Sequence, residues 1–243
     1  MVILLKNSNM DTNKKTARIA GLFYLIVVLS GLFHLLYVPG KLINWQNPAI
    51  TLQNIIANET MFRLSLLAGC ICYTAFLFLP LVLYKLLLPV NKTHAVAMAA
   101  LALLSVPISF VNLLNKFAVL TLISKPEYAA APPDLAAQVM QQLQYYSNGN
   151  LIASLFWGLW LLPFGWLVYR SGFLPKALGV LLMAGCTGYV MNFVGELVFP
   201  TGYKQSGIDS WISIPGGLGE IGTCLWLLVM GVKVNTATAT VTK

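Results

Sequence analysis

Among the charged residues of this chain, three stand out inside long apolar stretches: Lys116, Glu196 and Glu220. A charge held within a bilayer is expensive and normally faces a partner or a wet cavity, so these three mark where ion pairing or ligand binding could occur. Asn112, Asn115 and Lys116 are spaced i, i+3, i+4 and share one helix face, as do Asn192 and Glu196 at i, i+4. His34 and Tyr73 lie in two further apolar runs. Together these eight residues could line an intramembrane pocket. Lys116 would supply positive charge, Glu196 and Glu220 the counter-charges, and the asparagines orienting hydrogen bonds. The same groups could instead tie helices together, since interhelical polar contacts are common glue. Both readings stay open on the sequence. Glu220 sits in Gly216-Gly217-Leu218-Gly219-Glu220-Ile221-Gly222, where small residues allow a helix or a ligand to come close, helix packing being their commoner use. Arg63 follows Glu59 by four residues and reads as a solvated surface pair.

Signatures of catalysis are missing. The chain has neither H-E-x-x-H nor G-x-S-x-G. Its two histidines, His34 and His94, fall at opposite ends of their runs, about 30 Å apart across a bilayer, too far to share a metal ion. Cys70, Cys72, Cys186 and Cys224 lie within apolar runs without a C-x-x-C pair and read as packing residues. No metal and no cofactor is expected, and the balance leans away from an enzyme.

The elements that must carry these residues follow from composition. The 243-residue chain is 58% hydrophobic and 9% charged, with mean hydropathy +0.77. A soluble domain carries about 25% charged residues to cover its surface. The runs Gly21–Val38, Phe62–Leu88, Ala95–Ile123, Leu151–Val168, Ala177–Phe199 and Ile212–Val232 each approach or exceed the roughly 18–20 residues that cross a hydrocarbon core of about 30 Å. The expectation is an all-α polytopic membrane bundle of about six transmembrane helices. A cytoplasmic segment at 1–16 precedes a transmembrane domain at 17–233, and a disordered cytoplasmic tail follows at 234–243. The spans are placed at about 17–38, 62–88, 94–123, 149–169, 177–199 and 212–232.

Charge placement sets the orientation. With both termini cytoplasmic, ten of the 15 basic residues fall inside (Lys6, Lys14, Lys15, Arg18, Lys85, Lys92, Arg170, Lys176, Lys233 and Lys243), while Lys41, Arg63, Lys125 and Lys204 fall outside. This is the positive-inside asymmetry. The net charge of +8 therefore records membrane orientation rather than a nucleic-acid surface. The first run is too long for a signal-peptide core and has no small-residue cleavage site after it. In this orientation Lys116, Glu196 and Glu220 all lie in the outer half of the membrane, so the pocket opens outward. Short basic turns at Leu88–Thr93 and Arg170–Lys176 join spans on the inside. Outside, Asn47-Pro48 caps a short helix through Ile55 and Ile56. Asp134 opens a second outer helix over 134–146, with Leu135, Val139, Leu143 and Tyr146 at helical spacing, read either as an amphipathic helix on the interface or as a packed lid over helix ends.

Phe156-Trp157-Gly158-Leu159-Trp160-Leu161-Leu162-Pro163-Phe164-Gly165 and the following Val168–Lys176 resemble the bacterial multi-pass membrane family catalogued as domain of unknown function 4386. So do Lys15–Gly21, Leu79–Lys85 and Val106–Asn112. The resemblance implies a cell (inner) membrane protein and carries no established activity. Three functions remain open: binding or transport of a small molecule, ion or lipid headgroup; an accessory role through the outer loops; and lipid modification. The expected partners are the lipid bilayer and a small-molecule or lipid ligand, not nucleic acid.

Overall fold

Lipid offers the backbone no hydrogen bonds, so an apolar run that crosses a bilayer must satisfy its own N–H and C=O groups as a helix. The computed structural model describes residues 2–125 and 135–232, and among them the regular elements are all helical. In chain order they are α1 (Val2–Gly31), a π-helical turn (Leu32–Tyr37), α2 (Val38–Leu42), α3 (Pro48–Ala57), α4 (Glu59–Leu87) and α5 (Lys92–Ser124). There follow α6 (Leu135–Leu159), α7 (Leu161–Ser171), α8 (Lys176–Val198), α9 (Pro200–Ser206) and α10 (Ile208–Val229). Six helical segments are long and apolar enough to cross a membrane: Asn13–Leu42, Glu59–Leu87, Lys92–Ser124, Leu135–Ser171, Lys176–Val198 and Ile208–Val229. The all-α, six-span architecture expected from the apolar runs is the one observed. Large apolar side chains such as Leu36, Val111, Leu114, Leu197 and Trp211 are exposed, as lipid-facing surfaces require.

Local signals explain several boundaries. The Asn47 side chain accepts the Ile50 N–H at 3.1 Å, and Pro48 follows at the first helical position. Asn91 caps α5 in the same way, accepting the His94 N–H at 3.0 Å. Gly172, at φ 71°, ends α7 in the left-handed conformation that glycine adopts without penalty. Arg63 and Glu59 form the expected surface pair at 2.6 Å.

One element differs from expectation. Residues 135–146 are not a separate interfacial helix, because α6 runs unbroken from Leu135 to Leu159. Val139 and Leu143 are fully buried in a protein core, as a packed segment requires, rather than laid on lipid. The turn-forming string Ser147-Asn148-Gly149-Asn150 stays helical because tertiary contacts override its propensity. The proposed Asp134 cap and the tail from 234 lie outside the described residues.

The chain divides into two compact units. One comprises residues 23–78 and 101–157; its core joins Val38, Leu42, Ile55, Phe62, Leu113, Val119, Val139 and Leu143. The other comprises residues 1–22, 79–100 and 158–243. In it, glycines bring helix backbones together: a Cβ on Gly185 would lie 2.5 Å from Gly216 Cα, and one on Gly219 would lie 2.9 Å from Leu182 N. Gly216 and Gly219 thus serve α8–α10 packing, the commoner use of such residues.

Candidate functional site: a buried lysine at a π-helical turn

The geometry begins with a proline. Within the π-helical turn Leu32–Tyr37, the Val38 N–H donates to the Phe33 carbonyl, five residues back. The next bond in that ladder would run from residue 39 to the His34 carbonyl, but Pro39 has no N–H. The His34 carbonyl is left without its helical donor, and Lys116 supplies one: its Nζ donates to His34 O at 3.2 Å and to Ser65 Oγ at 3.1 Å. The same ammonium sits 4.4 Å from the centroid of the Tyr146 ring, a cation–π contact that strengthens as water is excluded. Lys116 is 1% exposed, and Ser65 and His34 are fully buried. Among the described residues Lys116 forms no ion pair. A π-turn of this kind is a frequent companion of functional sites.

A ring of aromatic and amide groups surrounds this centre. Tyr146 Oη lies 3.3 Å from His34 Nδ1. Tyr73 meets the His34 ring edge-on at 5.3 Å and stacks on Trp157 at 6.3 Å. Gly69 leaves room for the imidazole, since a Cβ there would lie 3.2 Å from His34 Nδ1. Two buried polar atoms in the group have no hydrogen-bond partner among the described residues, His34 Nε2 and Tyr73 Oη. If Tyr146 donates to Nδ1, Nε2 carries the imidazole proton and is an unused donor.

Asn112 closes one side. Its Nδ2 donates to Tyr146 O and to Asn150 Oδ1, each at 2.9 Å, and its Oδ1 accepts from Asn115 Nδ2 at 3.0 Å. Each of these three side-chain bonds goes to α6 or to Asn115. Gly149 makes this possible, because a Cβ there would collide with the Asn112 amide. Alanine in place of glycine within a helix ordinarily stabilises by about 0.5–1 kcal/mol. Gly149→Ala is expected to do the opposite. Displacing Asn112 from its two bonds to α6, one of them buried, lowers stability by about 1–3 kcal/mol, read as a fall in the midpoint of thermal unfolding in detergent. An unchanged or raised midpoint would show that the Asn112 contact has slack.

Of the eight expected site residues, the structure gathers Lys116, Asn112, Asn115, His34 and Tyr73 in the unit of residues 23–78 and 101–157. Asn192, Glu196 and Glu220 belong to the other unit. There Asn192 Nδ2 donates to Ser213 Oγ at 2.8 Å, Tyr203 Oη donates to Asn192 Oδ1 at 2.6 Å, and Tyr189 Oη lies 3.4 Å from Glu220 Oε1. These bonds tie α8, α9 and α10. Desolvation, and then the carboxylates of Asp209 and Glu196, raise the Tyr203 phenol above its ordinary value, so it remains a donor. Ser65 and Tyr146 are site residues that the sequence does not single out. The signal for Lys116's partner was present all the same, since Pro39 follows His34 by five residues, the span of one π-helical hydrogen bond.

No solved structure matches this chain. A protein of Archaeoglobus fulgidus described as uncharacterized is 30% identical over 113 residues, which are 46% of this chain and 64% of that protein. The chain therefore spans a little under two thirds of that relative's length. The family model described as domain of unknown function (DUF4386) matches residues 19–231, nearly the whole of the helical region. On that coverage, this six-span membrane chain belongs to the DUF4386 family.

Proposed function

We propose that this protein binds a small anion, either free or as a headgroup, at Lys116, and that the site is reached from the outer face of a bacterial inner membrane. Both termini are then cytoplasmic, in keeping with the positive-inside placement of the basic residues. One observation carries the reading: a 1%-exposed lysine with no ion pair among the described residues, bonded to the carbonyl of His34, whose Nε2, like the Oη of the adjoining Tyr73, has no hydrogen-bond partner among those residues. Buried charges are ordinarily paired. Here two neutral acceptors and a ring face hold the cation in place, and no carboxylate among the described residues pairs with it. An anion seated against Lys116 could also take hydrogen bonds from His34 and Tyr73, the donors with capacity unspent.

Titration calorimetry on the detergent-solubilised full chain tests this, with inorganic phosphate, acetate and glycerol phosphate as probes. At least one should bind, and Lys116→Met should weaken it by about ten- to a hundredfold, the worth of a hydrogen bond to a charged group. Failure of all three probes to bind would sink the reading. So would affinity unchanged in a folded Lys116→Met protein.

A further inference from the structure

The start of the first membrane-crossing helix carries a second concentration of charge, in the unit that does not hold Lys116. Lys14, Lys15 and Arg18 line a groove of about 480 Å³ together with Ile19, Leu22 and Leu228. Lys14, Arg18 and Leu22 follow one another at four-residue steps, and Lys15, Ile19 and Leu22 at steps of four and three, so all five α1 residues share one side of the helix. At 1.5 Å per residue the aliphatic pair continues the wall for about 6 Å beyond Arg18. The opposite wall is α10, held close by a glycine: a Cβ on Gly21 would lie 2.6 Å from Leu228 N. None of the three cations forms an ion pair among the described residues.

We propose that this groove binds an anionic phospholipid, with its phosphate among Lys14, Lys15 and Arg18 and the upper part of an acyl chain along Ile19, Leu22 and Leu228. The three cations, without an ion pair among the described residues, select negative charge, and basic pockets between spans are the usual receptors for such headgroups. The aliphatic wall continuous with them selects a lipid over a dissolved phosphate, which would leave that wall uncovered. This inference does not rest on the Lys116 reading, since it uses other residues and a ligand in the membrane itself.

Native mass spectrometry of the full chain, released from micelles holding equal phosphatidylglycerol and phosphatidylcholine, gives the test. The wild type should retain phosphatidylglycerol over phosphatidylcholine. The combined Lys14→Gln, Lys15→Gln and Arg18→Gln variant should lose that preference, at about fivefold per basic side chain. Those changes also remove orientation signals, so Leu22→Trp provides a second variant, filling the groove while every charge remains. It should lower phosphatidylglycerol retention, whereas Lys41→Gln should leave it intact. Equal retention of the two lipids by the wild type would overturn the proposal. So would a preference that survives both groove variants, a Lys41→Gln loss as large as theirs, or displacement of the lipid by millimolar glycerol phosphate.

Discussion

Lys116→Met is expected to destabilise the protein by about 2 kcal/mol, and Pro39→Ala to rescue part of that loss. Two terms oppose each other at position 116. Methionine keeps the length of the side chain and relieves the desolvation of an ammonium, which favours the variant. It also strips Ser65 Oγ and His34 O of their donor and removes the charge from the face of Tyr146. A buried acceptor left alone costs about 1–3 kcal/mol, and the hydroxyl can turn elsewhere where the carbonyl cannot. The carbonyl therefore decides the sign. It lacks a helical donor because residue 39 is proline, so alanine there restores an N–H five residues from His34. In the Pro39→Ala background the penalty of Lys116→Met should shrink by about 1 kcal/mol, well outside the 0.3–0.5 kcal/mol within which independent sites add. A double-mutant cycle in mixed-micelle unfolding measures this. A coupling energy indistinguishable from zero would mean that Lys116 does not answer the gap left by the proline.

The largest structural loss is expected at Gly165. A Cβ there would lie 2.6 Å from Gly179 O and 2.9 Å from Met183 N, and the reciprocal Cβ on Gly179 would lie 2.6 Å from Gly165 O and 2.7 Å from Tyr169 N. These neighbours are backbone atoms and cannot rotate away, so α7 and α8 must part. In lipid no hydrophobic force recloses such a gap, and packing alone holds the helices. Gly165→Val should lower stability by about 3 kcal/mol or more, at or beyond the upper end of overpacking penalties, with loss of folded protein on expression. Gly217 is the control, since a Cβ there meets nothing within 4 Å. Gly217→Ala should be neutral or stabilising by about 0.5–1 kcal/mol. Equal tolerance at both positions would contradict the close α7–α8 approach.

Much of this was legible before any coordinates. The six spans follow from run length, because hydrocarbon thickness fixes helix length and lipid admits few other backbone solutions. The caps at Asn47 and Asn91 are local chemistry, and the Asn47-Pro48 start is legible in the sequence alone. The surface pair of Glu59 and Arg63 needed only i, i+4 spacing. The asparagine–lysine face of α5 was also visible, and Asn112 and Lys116 do make polar contacts to other helices there. The extent of α6 was misjudged, because Ser147–Asn150 is a turn by propensity and a helix only once Asn112 bonds to Tyr146 and Asn150.

By itself, then, the sequence determined what depends on counting along one helix: that the chain crosses a membrane, where it does so, and which residues are costly enough there to need partners. Tertiary structure alone decided who those partners are. Lys116 finds a carbonyl on the first span, a hydroxyl on the second and a ring on the fourth. Each of those choices joins residues dozens of positions apart, and helical periodicity carries no information across such distances. The proline that frees the carbonyl is local and readable; that a lysine 77 residues later fills the vacancy is a property of packing.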